Sequence, residues 1–200
     1  KTGQAELKKY IFIIDEINRG EISKIFGELF FAIDPGYRGR AGEISTQYAN
    51  LHADPDEKFY IPENVYIIGT MNDIDRSVDN FDFAMRRRFR FVELRADERL
   101  EMLANLEDEE LEAEAIRRMS ALNREIAAVE DLNENYQIGA SYFLKLKTLT
   151  FDQLWTDYLH PLLQEYIQGM YDEESIMNRL AKAYGYHKPT DGDADEAAQN

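Results

Sequence analysis

Two runs of large apolar residues predict buried β-strands in the first half of the chain. They cover residues 10–14 and 65–69 and are rich in branched and aromatic side chains, which favour strands. Unbroken apolar runs are typical of central parallel strands in an α/β sheet, so we expect the first strand to be buried on both faces. Between them, apolar residues at three- and four-residue spacing predict an amphipathic helix over residues 21–33, stopped by Asp34-Pro35-Gly36.

Shorter elements are predicted for the rest of this half. Residues 37–62 are polar, with Gly36, Gly39 and Gly42 at or near their start, and we interpret them as an inserted β-hairpin, with a long loop as the alternative. A short helix is predicted over residues 81–88. The alternating pattern of residues 90–94 predicts a third strand.

The second half of the chain shows helical spacing only. Pro161 falls within the last apolar stripe, where it either kinks a helix or begins a new one. The acidic end of the chain has the composition of a disordered tail. The predicted helical segments are residues 97–106, 111–129 and 151–184, with a turn and a short structured segment at 135–144. The predicted domains are an α/β part (1–95), an all-α part (96–187) and a tail (188–200).

Polar side chains follow both predicted strands. Asp15 and Glu16 come directly after the first strand, and Asn72 follows the second. Open α/β sheets bind ligands at the carboxyl ends of their strands. An apolar strand ending in Asp-Glu is the Walker B arrangement, in which the Asp holds Mg²⁺ through water and the Glu polarises the attacking water. The alternative from this segment alone is a strand that ends in two solvated acids.

Charge and composition narrow the class of protein. The net charge of −16 argues against a general nucleic-acid-binding surface. Residues 76–95 nevertheless carry six Arg and three acidic side chains, which indicates one specific anionic target or, alternatively, neutralisation of neighbouring acidic helices. The chain has no Cys, no long apolar run and three scattered His. We therefore expect a cytoplasmic protein with no membrane segment and no protein-only metal site.

Five motifs in order resemble the McrB family, the AAA+ motor subunits of modification-dependent restriction systems. Each motif is weak alone, but their order is specific, and the match covers residues 10–95 and, more weakly, 136–143. The motifs are Ile-Asp-Glu-Ile-Asn-Arg (14–19), Lys-Ile-Phe-Gly-Glu-Leu (24–29), the segment 60–72, Met-Asn-Asp-Ile-Asp-Arg-Ser (71–77) and Phe-Ala-Met-Arg-Arg-Arg-Phe (83–89). The resemblance implies an AAA+ P-loop NTPase core with a helical lid, which forms a ring with nucleotide bound between subunits.

The resemblance also implies roles for individual residues. Asp15 takes the position of the Mg²⁺ residue, Glu16 that of the water-activating residue and Asn72 that of the sensor-1 amide. Arg88, or else Arg87, takes the position of the arginine finger that reaches the neighbour's γ-phosphate. The nucleotide-binding residues implied by the family are Asp15, Asn72, Asp75 and Arg76, with GTP preferred over ATP.

Two departures from the family pattern limit this inference. No Gly-x-x-x-x-Gly-Lys-Ser/Thr loop occurs in the sequence. We therefore expect this chain to be the C-terminal part of a longer protein and to be inactive by itself. The segment that resembles the sensor-2 region of the lid, residues 138–143, carries Ala140 and no Arg. In the family the motor forms a ring, for which we expect six subunits, pairs with a McrC nuclease subunit and contacts DNA through an N-terminal domain.

Two other functions remain open from the sequence. One is an ATP-dependent remodelling protein of the dynein-related or MoxR-like kind, which would keep the fold and the site residues. The other is a non-catalytic assembly module in which Asp15 and Glu16 are relics. Nucleotide preference separates the first from a McrB-like GTPase.

Overall fold

The structure is a computed structural model that describes residues 8–54, 56–72 and 83–187. The chain divides into two compact units, Lys1–Val92 and Glu93–Asn200, and each has its own hydrophobic core. The tail predicted over residues 188–200 lies outside the described residues.

The first unit is built on two parallel strands. β1 (Tyr10–Ile14) pairs with β2 (Val65–Gly69), so that Tyr10 lies opposite Val65 and Ile14 opposite Gly69. A parallel pair needs a long crossover connection, and here it is supplied by the helical turns that follow β1. The predicted α/β class with a parallel sheet is confirmed.

One face of this sheet is open, contrary to the prediction that β1 is buried on both sides. Ile11 and Ile13 are each 64% exposed. The register places them beside Tyr66 and Ile68 of β2, which are also exposed. The core of the unit contacts the opposite face, where Ile67 packs against it. The apolar run correctly indicated a strand, but within the described residues nothing covers its second face.

The predicted helix over residues 21–33 is divided into two segments. Residues Ile22–Phe26 form α1, and Gly27–Ile33 continue as a 3-10 helix. Gly27 has φ 48° and ψ −123°, a conformation that ends an α-helix and that glycine adopts without steric cost. Ile22 and Ile33 are buried in the core of this unit.

Residues 37–62 do not form the two strands of the predicted hairpin. They fold into 3-10 turns, and one antiparallel bridge joins Ile44 to Phe59. Gly42 passes so close to Tyr37 that a Cβ on Gly42 would lie 1.9 Å from the Tyr37 carbonyl oxygen. This approach folds the chain back on itself instead of extending it. The 3-10 helices of this region are Pro35–Tyr37, Gly39–Gly42 and Ala49–Leu51.

The third strand predicted over residues 90–94 is absent from the described structure. The short helix α2 covers Phe83–Arg86, and its Met85 is buried in the core of the first unit. Beyond it, Val92 and Leu94 are 69% and 68% exposed and pair with no strand in the part of the chain that the structure describes. The alternating pattern therefore indicated extended chain without a pairing partner.

The second unit is all-helical, as predicted. The predicted helix over residues 97–106 is a 3-10 helix, Leu100–Leu106. Pro161 lies in the first turn of a new helix, directly after a π-helical turn, Trp155–Leu159. The α-helices are α3 (Glu109–Ala127), α4 (Ala140–Phe143), α5 (Phe151–Leu154), α6 (His160–Ile167) and α7 (Glu173–Tyr184). Two further 3-10 helices cover Glu134–Tyr136 and Leu144–Lys147.

Aromatic packing closes the core of the second unit. Trp155 is 1% exposed and stacks on Tyr184 with ring centroids 5.1 Å apart. Tyr184 is itself fully buried, and its hydroxyl donates to the Phe151 carbonyl oxygen at 2.9 Å. Trp155 is therefore a packing residue in the core of this unit.

Arg118 of α3 contacts a neighbouring helix and is held by Glu114 of its own helix. The Arg118 guanidinium lies 4.2 Å from the ring centroid of Phe151, and its Nε donates to Glu114 at 2.7 Å. Arg117 donates two hydrogen bonds to the same carboxylate. The hydrogen bonds from Arg117 and Arg118 lower the pKa of Glu114 to about 2.

Candidate functional site

The polar residues predicted to act together meet where the two parallel strands end. Asp15 and Glu16 follow β1, and Thr70 and Asn72 follow β2. Backbone hydrogen bonds continue the pairing beyond the strands: the Thr70 N–H donates to the Ile14 carbonyl at 3.0 Å. The two polar segments therefore lie side by side at the carboxyl edge of the sheet, as the sequence predicted.

Thr70 contacts both acidic residues. Its hydroxyl accepts a hydrogen bond from the Glu16 backbone N–H at 2.9 Å and donates one to Asp15 Oδ1. Its carbonyl accepts from the Ile17 N–H at 2.9 Å. A hydroxyl can donate and accept at once, so this one side chain links the Asp15 carboxylate to the backbone of Glu16.

A second link joins the same two segments. The Asn18 side-chain amide donates to the Asn72 carbonyl oxygen at 3.0 Å. Asn18 Oδ1 is buried and has no hydrogen-bond partner among the described residues. The turn after β1 is thereby fixed to the residue that we predicted to serve as sensor 1.

Glu16 has an unusual backbone conformation. Its φ of 50° and ψ of 48° lie in the left-handed region, which costs a non-glycine residue about 1–2 kcal/mol. Such a conformation persists where surrounding contacts fix it, and these sites are often functional. The Glu16 carboxylate is exposed and forms an ion pair of 3.1 Å with Arg19.

The site is supported from below by a close contact between Gly69 and Ile17. Ile17 is 4% exposed and belongs to the core of the first unit. A Cβ on Gly69 would lie 3.0 Å from Ile17 Cδ1 and 3.1 Å from its Cγ2. The absence of a side chain at Gly69 therefore lets the turn that carries Asp15 and Glu16 approach β2.

The two candidate arginine fingers have different surroundings. The Arg88 guanidinium lies 4.2 Å from the Phe30 ring centroid and donates to the Ala84 carbonyl oxygen. Its Nε is buried. The Arg87 side chain is exposed and forms no ion pair or side-chain hydrogen bond within the described residues. Arg88 is thus packed into its own unit, and Arg87 is the arginine of the two that is open to solvent.

The segment resembling sensor 2 is held by a buried amide of α3. Asn123 is 6% exposed; its Nδ2 donates to the Ile138 carbonyl at 2.9 Å, and its Oδ1 accepts from the Ile138 N–H at 2.7 Å. Ile138 itself is 1% exposed. Both peptide groups of Ile138 are therefore satisfied by one side chain, and this fixes the chain just before α4.

The site residues fit a Mg²⁺ ion held mainly through water and phosphate. No cluster of three or more His, Cys, Asp or Glu able to hold a metal occurs in residues 8–54, 56–72 and 83–187. Mg²⁺ keeps several waters and takes only one or two protein carboxylates where it serves nucleotide phosphates. Asp15, exposed and oriented at one oxygen by Thr70, offers such a ligand.

Two predicted nucleotide-binding residues, Asp75 and Arg76, lie outside the described residues. The sequence analysis also missed two residues that shape the site, Thr70 and Asn18. Each stands two positions from a predicted site residue in the chain, and a polar side chain just beyond a strand was the available signal. That signal does not show which group each side chain contacts.

Two known families match successive parts of the chain. Residues 2–89 match the AAA domain of the dynein-related subfamily, and residues 114–175 match the alpha-helical lid domain of McrB. The chain is a McrB-like AAA+ subunit. Its first unit supplies the AAA portion, and α3 to α6 fall largely within the lid match.

Two curated relatives agree with this assignment. The McrB-like chain is 36% identical, over 187 residues, to the type IV methyl-directed restriction enzyme EcoKMcrB subunit of Escherichia coli strain K12. It is 33% identical, over 88 residues, to the type II restriction enzyme BsuMI component YdiS of Bacillus subtilis strain 168. The alignments cover 86% and 41% of this chain but 40% and 26% of the relatives, so the chain spans less than half of either.

The family and fold predicted from the sequence are therefore confirmed. Among the described residues of the McrB-like chain, no helix combines the length and apolar character that crossing a membrane requires.

Proposed function

We propose that this McrB-like chain belongs to the motor subunit of a modification-dependent restriction complex that hydrolyses a nucleoside triphosphate, with GTP preferred. The observation that carries the proposal is the edge of the sheet, where Asp15, Glu16 and Asn72 follow two paired parallel strands. This juxtaposition is what phosphoryl transfer to water needs from the protein: positioned oxygens for a metal ion and a base for the nucleophile.

Each residue has a distinct part in this proposal. Asp15 would hold Mg²⁺, which when bound neutralises charge on the phosphoryl oxygens. The Glu16 carboxylate accepts a hydrogen bond from the attacking water and orients it. The Asn72 side-chain amide can donate to a phosphoryl oxygen and accept from that water. Asp75 and Arg76 remain proposed nucleotide-binding residues on the strength of the family motif.

We assign the arginine finger to Arg87 in preference to Arg88. An arginine finger extends from the surface of one subunit to stabilise charge on the nucleotide phosphate bound by the neighbouring subunit. It therefore needs an exposed, unpaired guanidinium. Arg87 meets this requirement among the described residues, whereas Arg88 is stacked on Phe30. This assignment requires a homo-oligomeric ring, for which we propose six subunits.

The restriction role is supported by the names of the relatives. One is a subunit of a methyl-directed restriction enzyme and the other is a component of a type II restriction enzyme. We extend this to a McrC-like nuclease partner and to DNA contact through a domain outside these 200 residues. The net charge of −16 agrees with DNA recognition by another part of the complex.

Steady-state hydrolysis of GTP and ATP by the intact protein tests the proposal. Glu16→Gln should abolish turnover but retain binding of a fluorescent GTP analogue, because the amide keeps the size of the carboxylate without its basicity. Glu21→Gln, a nearby exposed glutamate paired with Lys24, is the matched control and should hydrolyse normally.

Three outcomes would change the assignment. Undiminished turnover by Glu16→Gln would remove Glu16 from its role. Preference for ATP would favour a remodelling protein of the dynein-related kind, and the match of residues 2–89 to the dynein-related AAA subfamily is compatible with that alternative. Binding without any hydrolysis by the wild-type protein would favour a non-catalytic assembly module.

A further inference from the structure

We propose that Thr70 is the positioning residue of the acidic pair, and that its hydroxyl sets both the carboxylate of Asp15 and the backbone of Glu16 for hydrolysis. The inference rests on the proposed function. The inference goes beyond that function because it names a side chain directly after the neighbouring strand through which the two acidic residues act as a unit.

The hydrogen-bond pattern is specific to a hydroxyl. The Glu16 N–H donates to Thr70 Oγ1 at 2.9 Å, and the same oxygen donates its proton to Asp15 Oδ1. An amide or carboxylate at position 70 would differ in reach, and an apolar side chain could do neither. The Thr70 hydroxyl thereby fixes the orientation of the Asp15 carboxylate at Oδ1, and Oδ2 can face a metal-bound water.

The contact with Glu16 acts on its backbone. Glu16 has a left-handed conformation (φ 50°), which needs surrounding contacts to persist. Its N–H is fixed by Thr70 Oγ1, and the next N–H, that of Ile17, is fixed by the Thr70 carbonyl at 2.9 Å. Loss of the hydroxyl would free the peptide on one side of Glu16, and its carboxylate would sample more directions.

The role is separable from folding. Thr70 is exposed, and its side chain is outside the core of the first unit. The backbone bonds of Thr70 to Ile14 and Ile17 do not depend on its side chain. Replacement of the hydroxyl by a methyl group should therefore change catalysis far more than stability.

The test uses the intact protein with Thr70→Val, which has nearly the same shape, and Thr70→Ser, which keeps the hydroxyl. Thr148→Val is the matched control, because Thr148 is exposed and, among the described residues, its hydroxyl bonds to the Lys145 carbonyl alone, one turn away. Measured quantities are kcat and KM for GTP and ATP, the Mg²⁺ dependence of fluorescent-nucleotide binding without turnover, and the melting temperature.

We expect Thr70→Val to lower kcat roughly 10- to 100-fold with little change in KM, since loss of position at the reacting centre costs rate before affinity. The Mg²⁺ concentration for half-maximal nucleotide binding should rise several-fold. Thr70→Ser should recover wild-type kcat within about threefold, as its hydroxyl makes the same two bonds. The melting temperatures of all three variants should stay near that of the wild type.

Normal kcat and Mg²⁺ dependence in Thr70→Val would overturn the inference. Equal impairment of Thr70→Ser and Thr70→Val would also overturn it, because the methyl group and not the hydroxyl would then be the group that matters. Both results are read against an active wild type and an inactive Glu16→Gln. If the wild type hydrolyses neither nucleotide, or Glu16→Gln retains turnover, the failure lies in the proposed function itself.

Discussion

Replacement of Asn123 by Leu should destabilise the lid strongly. The side chain is buried and provides hydrogen bonds for both the N–H and the carbonyl of Ile138, at 2.7 and 2.9 Å. Leucine has a similar volume but no polar atoms, so both peptide groups would be buried without partners. Each such group costs about 1–3 kcal/mol, which gives a loss of about 2–6 kcal/mol in the free energy of unfolding.

Denaturant unfolding of the 200-residue chain, followed by tryptophan fluorescence, measures this loss. Trp155 is the single tryptophan of the sequence and is buried in the lid core, so its emission reports the unfolding of that unit. Asn105→Leu is the matched control, since Asn105 is exposed and, within the part of the chain that the structure describes, its side chain bonds to the nearby Met102 carbonyl alone. Its effect should stay within about 0.5 kcal/mol.

A loss below about 1 kcal/mol for Asn123→Leu would refute the reasoning, because two orphaned buried groups cannot cost so little. A large loss in Asn105→Leu as well would also contradict it. Leucine would then act through some general effect on the lid and not through the missing hydrogen bonds.

Three further predictions concern separate parts of the chain. In the intact protein, Arg87→Ala should lower the rate of hydrolysis roughly 1,000-fold without lowering the melting temperature. Arg88→Ala should instead lower the melting temperature, because it removes the cation–π contact with Phe30. The reverse pattern would exchange the roles of the two arginines. Gly42→Ala should lower the free energy of unfolding of the first unit by about 1–3 kcal/mol or more in urea unfolding, because the Cβ of the alanine would overlap the Tyr37 carbonyl. Wild-type stability would contradict this. The lowered pKa of Glu114 predicts a contribution to the stability of the lid that is present above pH 4.5 and is lost as the pH falls towards 2. Because the side chain is 31% exposed, we expect this contribution to the free energy of unfolding to be about 1 kcal/mol after solvent screening. Glu114→Gln should remove this part of the acid dependence of lid unfolding.

Local sequence patterns predicted the elements of the fold better than their surroundings. The apolar runs indicated β1 and β2, and helical spacing indicated α3, because these signals depend on neighbouring residues only. The exposure of Ile11 and Ile13 depends on what lies across the sheet, and no pattern within the strand carries that information. Gly27 ended α1 early through its positive φ, which a hydrophobic stripe does not reveal.

The candidate site divides in the same way. Residue types at strand ends predicted Asp15, Glu16 and Asn72, since carboxylates and amides in that position suit phosphate chemistry whatever their partners are. The contact between Thr70 and the acidic pair spans 54 positions in the chain and exists only in one register of the two strands. A shift of one residue would bring Gly69 or Met71 to that place, and neither carries a hydroxyl. Register is fixed by the packing of both strands, so the residue that orients the acidic pair could be identified only from the assembled sheet.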